Sequence, residues 1–286
     1  MPQEGFFIIG NPRSGTSLLR SLLNVHPQVC VAPECGFLLW LRPAWADRTW
    51  DADAWSRFAL EVHACRKFET WGISIAALER ELLAVKPASF PEAARVVYAI
   101  YARARRKSNA IWGDKNNYYI GQVPEIRSVY PNARFIHIVR DVRDVACSYM
   151  ELAHKAHGIT YRPELPQDAE AIAREWTMNN QAALDALDGA AQAFIRYEDL
   201  VAAPAAAANA LFRHLDLEPL LHLDASSHVS SLDEPQEFLH WKAKLTSPVD
   251  KVSVGRFRQE LSAQDLGRIE AVAADLMDRF GYPKGN

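Results

Sequence analysis

Eight residues near the start of the chain, Gly10-Asn11-Pro12-Arg13-Ser14-Gly15-Thr16-Ser17, have the types and spacing to hold a phosphate. Glycine, four residues and a second glycine let the backbone curl so that its N–H groups point inward. A helix starting there adds the positive end of its dipole, and Thr16 and Ser17 add hydroxyl donors. The common triphosphate loop ends Gly-Lys-Ser/Thr, its lysine reaching the β and γ phosphates. Thr16 stands at that place here, and the positive charge is Arg13, earlier in the loop. Such a loop fits a ligand with one 5′ anion and a short transferable group better than a magnesium triphosphate. The bland alternative is a glycine turn ahead of a buried helix, and the strand-before, helix-after context weighs against it.

A second anion constellation lies downstream. Arg140 closes the apolar run Phe135-Ile136-His137-Ile138-Val139, and Ser148 follows eight residues on. Arginine forks onto phosphate oxygens, and a serine hydroxyl can complete the shell. A salt bridge from Arg140 to Asp141 or Asp144 would explain the arginine alone; the loop upstream favours phosphate. Asp141 invites a rival, because an apolar strand ending in aspartate is the magnesium pattern of phosphate-loop kinases. Arg140 directly before it, and the missing loop lysine, argue against that.

These residues need a scaffold that brings strand ends together. Phe6 to Ile9 reads as a buried strand, and Ser17 to Asn24 as a helix with Leu18, Leu19, Leu22 and Leu23 at helical spacing. Further strands are expected at 29–31, 110–112, 134–139 and 193–197. Helices are expected at 142–154 and 169–187, in the alanine-rich stretch 202–210, and at 262–280, where Ser262 caps the start. Residues 36–108, rich in tryptophan and in helical stretches such as 75–85 and 91–107, read as a helical insertion after the second strand. Its aromatics suit core packing first, with an acceptor-pocket wall as the second use. The alternation predicts an α/β fold: a P-loop-type central parallel sheet flanked by helices, one domain over 1–286. Ligands of such sheets bind at the carboxyl ends of the strands.

Asn11-Pro12-Arg13-Ser14-Gly15-Thr16-Ser17-Leu18-Leu19 resembles the 5′-phosphosulfate loop of sulfotransferases that use 3′-phosphoadenosine 5′-phosphosulfate. It is most similar to the bacterial and protein-tyrosine branches, which have arginine before Ser-Gly-Thr. The resemblance implies that Arg13, Ser14, Gly15, Thr16 and Ser17 hold the 5′-phosphosulfate. It further implies that Arg140 and Ser148 bind the 3′-phosphate. Lys115, in Trp112-Gly113-Asp114-Lys115-Asn116, resembles the family's Gly-Asp-Lys segment, whose lysine approaches the sulfuryl group; a solvated surface lysine is the alternative. Glu34, just after the second strand, corresponds to the glutamate that serves the protein-tyrosine branch as base. His26 is the second candidate base, although His26-Pro27 suits a turn, and His137 lies mid-strand. Tyr197 matches a segment near the adenine. Residues 251–257 resemble the late loop that closes over the nucleotide, from which Ser253, Gly255 and Arg256 carry over. The catalytic set implied is Glu34, Arg13 and Lys115, without a metal.

Composition excludes other classes. A net charge of −3 gives no global basic field for nucleic acid. No apolar run is long enough for a membrane span. Cys30, Cys35, Cys65 and Cys147 lack metal-like spacing and read as free thiols; with no secretory signal, a cytoplasmic protein is expected. Two rivals stand: a small-molecule kinase of the P-loop type, and a nucleotide-binding protein that has lost catalysis. The acceptor is not legible in these residues.

Overall fold

The computed structural model describes residues 5–155, 161, 163–187, 192–224, 226–230 and 233–285. Five strands, β1 (Phe6–Ile9), β2 (Val29–Val31), β3 (Ile111–Lys115), β4 (Arg134–Val139) and β5 (Gln192–Arg196), form one sheet in the order β2-β3-β1-β4-β5. Every pairing is parallel. A sheet covered on both faces needs strands apolar on both sides. Phe7 and Ile9 of β1 point into one core, Phe6 and Ile8 into another, and all four are fully buried.

Helix α1 (Thr16–Leu23) follows β1, and its Leu19, Leu22 and Leu23 pack under the Phe6–Ile8 face. Between β2 and β3 run α2 (Phe37–Trp45), α3 (Ala52–Ala64), α4 (Ile75–Val85) and α5 (Phe90–Ala104). This is the expected insertion, and its aromatics are mostly core. Trp45 and Trp71 are buried, and Tyr98 stacks on Trp112 of β3 with ring centres 4.3 Å apart. Helix α6 (Val123–Val129) precedes β4. Helices α7 (Val142–Lys155) and α8 (Ala169–Ala186) follow it. After β5 come α9 (Tyr197–Ala202), α10 (Pro204–His214), α11 (Ser227–Ser230), α12 (Gln236–Lys242), α13 (Phe257–Glu260) and α14 (Ala263–Arg279). Ser262 caps α14 by accepting from the Asp265 N–H, as expected.

One boundary differs in a way that matters. The strand expected to stop at Trp112 continues through Gly113-Asp114-Lys115, because Gly113, Asp114 and Lys115 pair with Phe6, Phe7 and Ile8 of β1. Asp114 becomes a buried acceptor for the hydroxyls of Tyr98 (2.5 Å) and Tyr119 (2.9 Å) and the amide of Asn116 (2.9 Å). Lys115 is therefore only 1% exposed, which excludes the solvated surface lysine. Residues 156–160, between α7 and α8, lie outside those described.

Candidate active site

Each strand delivers one candidate residue at its carboxyl end. In spatial order across the sheet these are Glu34 after β2, Lys115 ending β3, the Gly10–Ser17 loop after β1, Arg140 after β4 and Tyr197 after β5. A cavity of about 630 Å³ lies over this edge, lined among others by Arg13, Thr16, Glu34, Arg140, Ser148 and Tyr197.

The loop is tightly folded. Gly15 takes φ 95°, and a Cβ there would sit 2.5 Å from the Tyr197 ring, so glycine is required on two counts. Arg13 also takes a positive φ, 65°, which costs a non-glycine residue about 1–2 kcal/mol. Strain of this kind gathers at functional sites. Arg13 Nε donates to Ser148 Oγ at 3.0 Å. Arg140 donates to the Arg13 carbonyl (3.1 Å) and the Ser253 carbonyl (2.6 Å), and its guanidinium lies over the Tyr197 ring, 4.7 Å away. Thr16 Oγ1 donates to Asn117 Oδ1 at 3.0 Å.

This end of the cavity has an excess of positive charge. Arg13, Arg140, Lys244 and Arg256 converge there. Lys244 donates to Ser253 Oγ at 2.6 Å, and Arg256 pairs with Glu151 at 2.7 Å. Burial, and then the neighbouring Arg140, pull the Arg13 guanidinium below its ordinary value. Burial and the neighbouring Arg256 do the same to Lys244. Two buried polar atoms here, Arg140 Nε and Ser14 Oγ, find no partner among the described residues. Converging cations and a guanidinium N–H without an acceptor fit a multiply charged anion.

The opposite end carries Glu34. Its Oε1 accepts from Lys115 and lies 3.7 Å from Lys242; its Oε2 accepts from Lys67 at 2.9 Å. Burial alone would raise this carboxyl, but Lys115, Lys242 and Lys67 outweigh it and hold it well below the usual range. Lys115 also donates to Ser17 Oγ at 3.2 Å and so links the loop to the carboxylate. Trp71 fixes the backbone here by donating to the Pro33 carbonyl at 3.0 Å.

The expected residues fall as follows. Arg13, Gly15, Thr16, Ser17, Glu34, Arg140, Ser148, Tyr197, Ser253 and Arg256 line one cavity. Lys115 lies behind it, against Glu34 and Ser17. Ser14 is sealed in the loop, where its N–H closes a turn onto the Asn11 carbonyl at 3.1 Å. Gly255, within the late loop, is not part of the lining, and its N–H donates to Asp144 Oδ2 at 2.7 Å. Tyr197 is the first residue of α9 rather than the last of β5.

The salt bridge considered for Arg140 does not form. Arg143 instead forks onto Asp141, Nε at 3.0 Å from Oδ1 and Nη2 at 2.8 Å from Oδ2. The carboxylate needed by the magnesium reading is thereby occupied. His26, the second candidate base, makes the turn. Its Nδ1 accepts from the Gln28 N–H at 3.0 Å, and its Nε2 faces the Glu218 carbonyl, away from the cavity. His137 is buried against Asn180, and burial pulls it down to about 4.

Lys67, Lys242, Lys244 and Asn117 were not anticipated. Lys67 belongs to the insertion, so that segment reaches the site through Arg66 and Lys67 rather than through its tryptophans. Lys242 and Lys244 come from α12 and the turn after it. No motif surrounds any of the three lysines.

A protein of Caenorhabditis briggsae, provisionally named a protein-tyrosine sulfotransferase, is 25% identical over 76% of this chain and 66% of its own length. The nodulation protein NoeE of Sinorhizobium fredii is 26% identical over 96% of this chain and 65% of its own. The chain thus spans about two thirds of the length of these relatives. Among solved structures, the sulfotransferase domain of the Synechococcus PCC 7002 olefin synthase superposes with a TM-score of 0.63 at 19% identity, covering 99% of this chain and 96% of that one. The sulfotransferase domain of the curacin biosynthetic pathway gives 0.61 at 18%, covering 99% and 100%. At such identity the likeness is one of fold. The family model described as the sulfotransferase family matches residues 5–220, well over half of the sequence, and takes in all five strand ends just described. This chain belongs to the sulfotransferase family.

Proposed function

We propose that the chain moves a sulfuryl group from 3′-phosphoadenosine 5′-phosphosulfate to a hydroxyl or amine acceptor by in-line displacement. One observation carries the reading: the order across the sheet edge of Glu34, Lys115, the loop, and Arg140 with Ser148. It sets a carboxylate at one end of an anion cradle and a cation cluster at the other. The orphaned Arg140 Nε, with Ser148, Lys244 and Arg256 nearby, fits a 3′-phosphate. The loop residues Arg13 to Ser17, with Lys115, fit the 5′-phosphosulfate. The donor would supply the sulfuryl group and leave as adenosine 3′,5′-bisphosphate.

The acceptor oxygen or nitrogen forms a bond to sulfur as the bond from sulfur to the 5′-phosphate oxygen breaks. Glu34 takes the acceptor's proton. Arg13, Lys115 and the loop N–H groups stabilise the charge gathering on the leaving oxygen. The span 1–286 is read as one catalytic unit, since the core of the insertion is continuous with Phe7, Ile9 and Trp112 of the sheet. Four unpaired cysteines suit a reducing cytoplasm.

Calorimetry with adenosine 3′,5′-bisphosphate, followed by transfer from labelled donor across an acceptor panel, tests this reading. Tight, magnesium-indifferent binding and transfer to some acceptor are expected. Preferential binding of a magnesium triphosphate would overturn it in favour of a kinase; bisphosphate binding without transfer to any acceptor would favour an inactive binder.

A further inference from the structure

We propose that the donor anion and Glu34 compete for one ammonium group, that of Lys115, so that Glu34 is released to act as base only when the donor is bound. The inference rests on the donor reading given above.

The geometry makes Lys115 a shared counter-ion. It ends β3 between the strand carrying the loop and the strand leading to Glu34, and is 1% exposed. Its Nζ donates both to Ser17 Oγ, in the loop, and to Glu34 Oε1. Water cannot take over either interaction at such a buried position, so an anion arriving at the loop draws on the charge that now holds Glu34.

The two other lysines on Glu34 come from other elements. Lys67 takes a left-handed backbone, φ 74°, at the start of the Phe68–Trp71 turn, and reaches Oε2 from the insertion. Lys242 belongs to α12 and is bonded to Glu234. Glu234 and Asp233 are both gripped by the fully buried Arg20, at 2.9 and 2.7 Å. Neither Lys67 nor Lys242 is bonded to the loop. When Lys115 turns to the donor, these two keep the carboxylate ionised and in place, which makes them positioning residues.

Linkage makes the competition reciprocal: whatever donor binding takes from the Glu34–Lys115 pair, that pair takes from donor binding. Removing the Glu34 charge must therefore tighten the bisphosphate, through Lys115. The test is a double-mutant cycle read by calorimetry with adenosine 3′,5′-bisphosphate on the full chain: wild type, Glu34→Gln, Lys115→Met and both together. Glu34→Gln should tighten binding about five- to fiftyfold, within the usual span of site coupling. In the Lys115→Met background the same change should do little.

Equal tightening in both backgrounds, which a long-range charge effect would give, overturns the inference, and so does weaker binding by Glu34→Gln. A second readout avoids variants: the side-chain carboxyl carbon of Glu34, followed by NMR, should titrate at higher pH with bisphosphate bound, and an unmoved titration overturns the proposal. A wild-type chain that binds no bisphosphate would sink the donor reading and this inference together. One that binds it but fails the cycle would sink this inference alone.

Discussion

Arg13 Nε donates to Ser148 Oγ at 3.0 Å, joining the first loop to helix α7 across 135 residues of sequence. The two phosphate motifs are thus one assembly, and Arg140, bonded to the Arg13 carbonyl, is its third member. A hydrogen bond to a charged group contributes about 1.5–3 kcal/mol. Ser148→Ala should weaken adenosine 3′,5′-bisphosphate binding by about tenfold or more. It should leave adenosine 5′-phosphosulfate, which lacks the 3′-phosphate, nearly unchanged. Equal losses for both nucleotides would mean that Ser148 only props Arg13. Arg13→Ala should lose nearly all transfer, and normal rates in that variant would remove Arg13 from the reaction.

Gly15 and Tyr197 give a test of the loop as architecture. Gly15→Ala adds a left-handed non-glycine residue and a Cβ 2.5 Å from the Tyr197 ring, the ring beneath the Arg140 guanidinium. Gly72→Ala is the control: its φ is also positive, 67°, but nothing stands within 4 Å. The backbone cost alone is about 1–2 kcal/mol. Thermal melts should show Gly15→Ala falling further than Gly72→Ala, with bisphosphate affinity lost only in the former. Equal shifts would mean that the loop gives way without disturbing Tyr197.

Much of this was legible because local and tertiary signals agree. Phe6–Ile9, closed by a glycine loop and followed by leucines at helical spacing, reads as strand-loop-helix, and it is one. The parallel α/β order follows from the same alternation. Gly113-Asp114-Lys115 reads poorly as strand because none of the three favours strands. Pairing with β1 overrides that preference and buries Lys115. Asp141 misleads for another reason: its partner is two residues away, on the first turn of α7, and only the fold decides whether Arg140 or Arg143 takes it. Lys67, Lys242 and Lys244 carry no local signal at all. Each lies in a helical neighbourhood outside any motif, brought to the cavity by the insertion and by the segment after α10.

The Asp141–Arg143 fork yields a prediction that separates the kinase rival. Both side chains are nearly buried, and Arg143 keeps a second carboxylate, Glu270, at 2.8 Å. Removing one partner of a buried pair costs about 3–5 kcal/mol, and Glu270 should hold the loss near the lower end. Asp141→Asn should therefore lower the melting temperature by several degrees while magnesium still has no effect on nucleotide binding. A variant that melts normally but loses magnesium-dependent binding would restore the kinase reading.

Glu34 should separate catalysis from binding. Glu34→Gln removes the proposed base, a group worth about 10²- to 10⁴-fold in rate, so kcat should fall by about that factor with no loss of bisphosphate affinity. Parallel losses would mark Glu34 as structural. Its pH signature follows from its depressed value. Stability from the lysine contacts is complete above the ordinary carboxylate value of 4.5 and is lost as pH falls from there through the lower folded value. Denaturant melts should show a shallower acid loss in Glu34→Gln than in wild type.

Lys115 titrates in the other direction. Burial pulls it from 10.5 to about 8, although Glu34 opposes the shift. Between those values the unfolded chain binds the proton more tightly, so this group makes stability rise with pH across that window. The same deprotonation takes away the cation proposed to meet the donor. Adenosine 3′,5′-bisphosphate affinity should therefore fall above about pH 8, by at most about tenfold per pH unit for one proton, while the melting temperature of wild type gains on that of Lys115→Met. In Lys115→Met the affinity should already be low and should lack this limb. Calorimetry and melts at matched pH from 7 to 10 read both quantities on the same samples. An affinity in wild type that stays flat to pH 10 would mean that the Lys115 ammonium does not meet the donor's anion, and the charge at the loop would then fall to Arg13 alone.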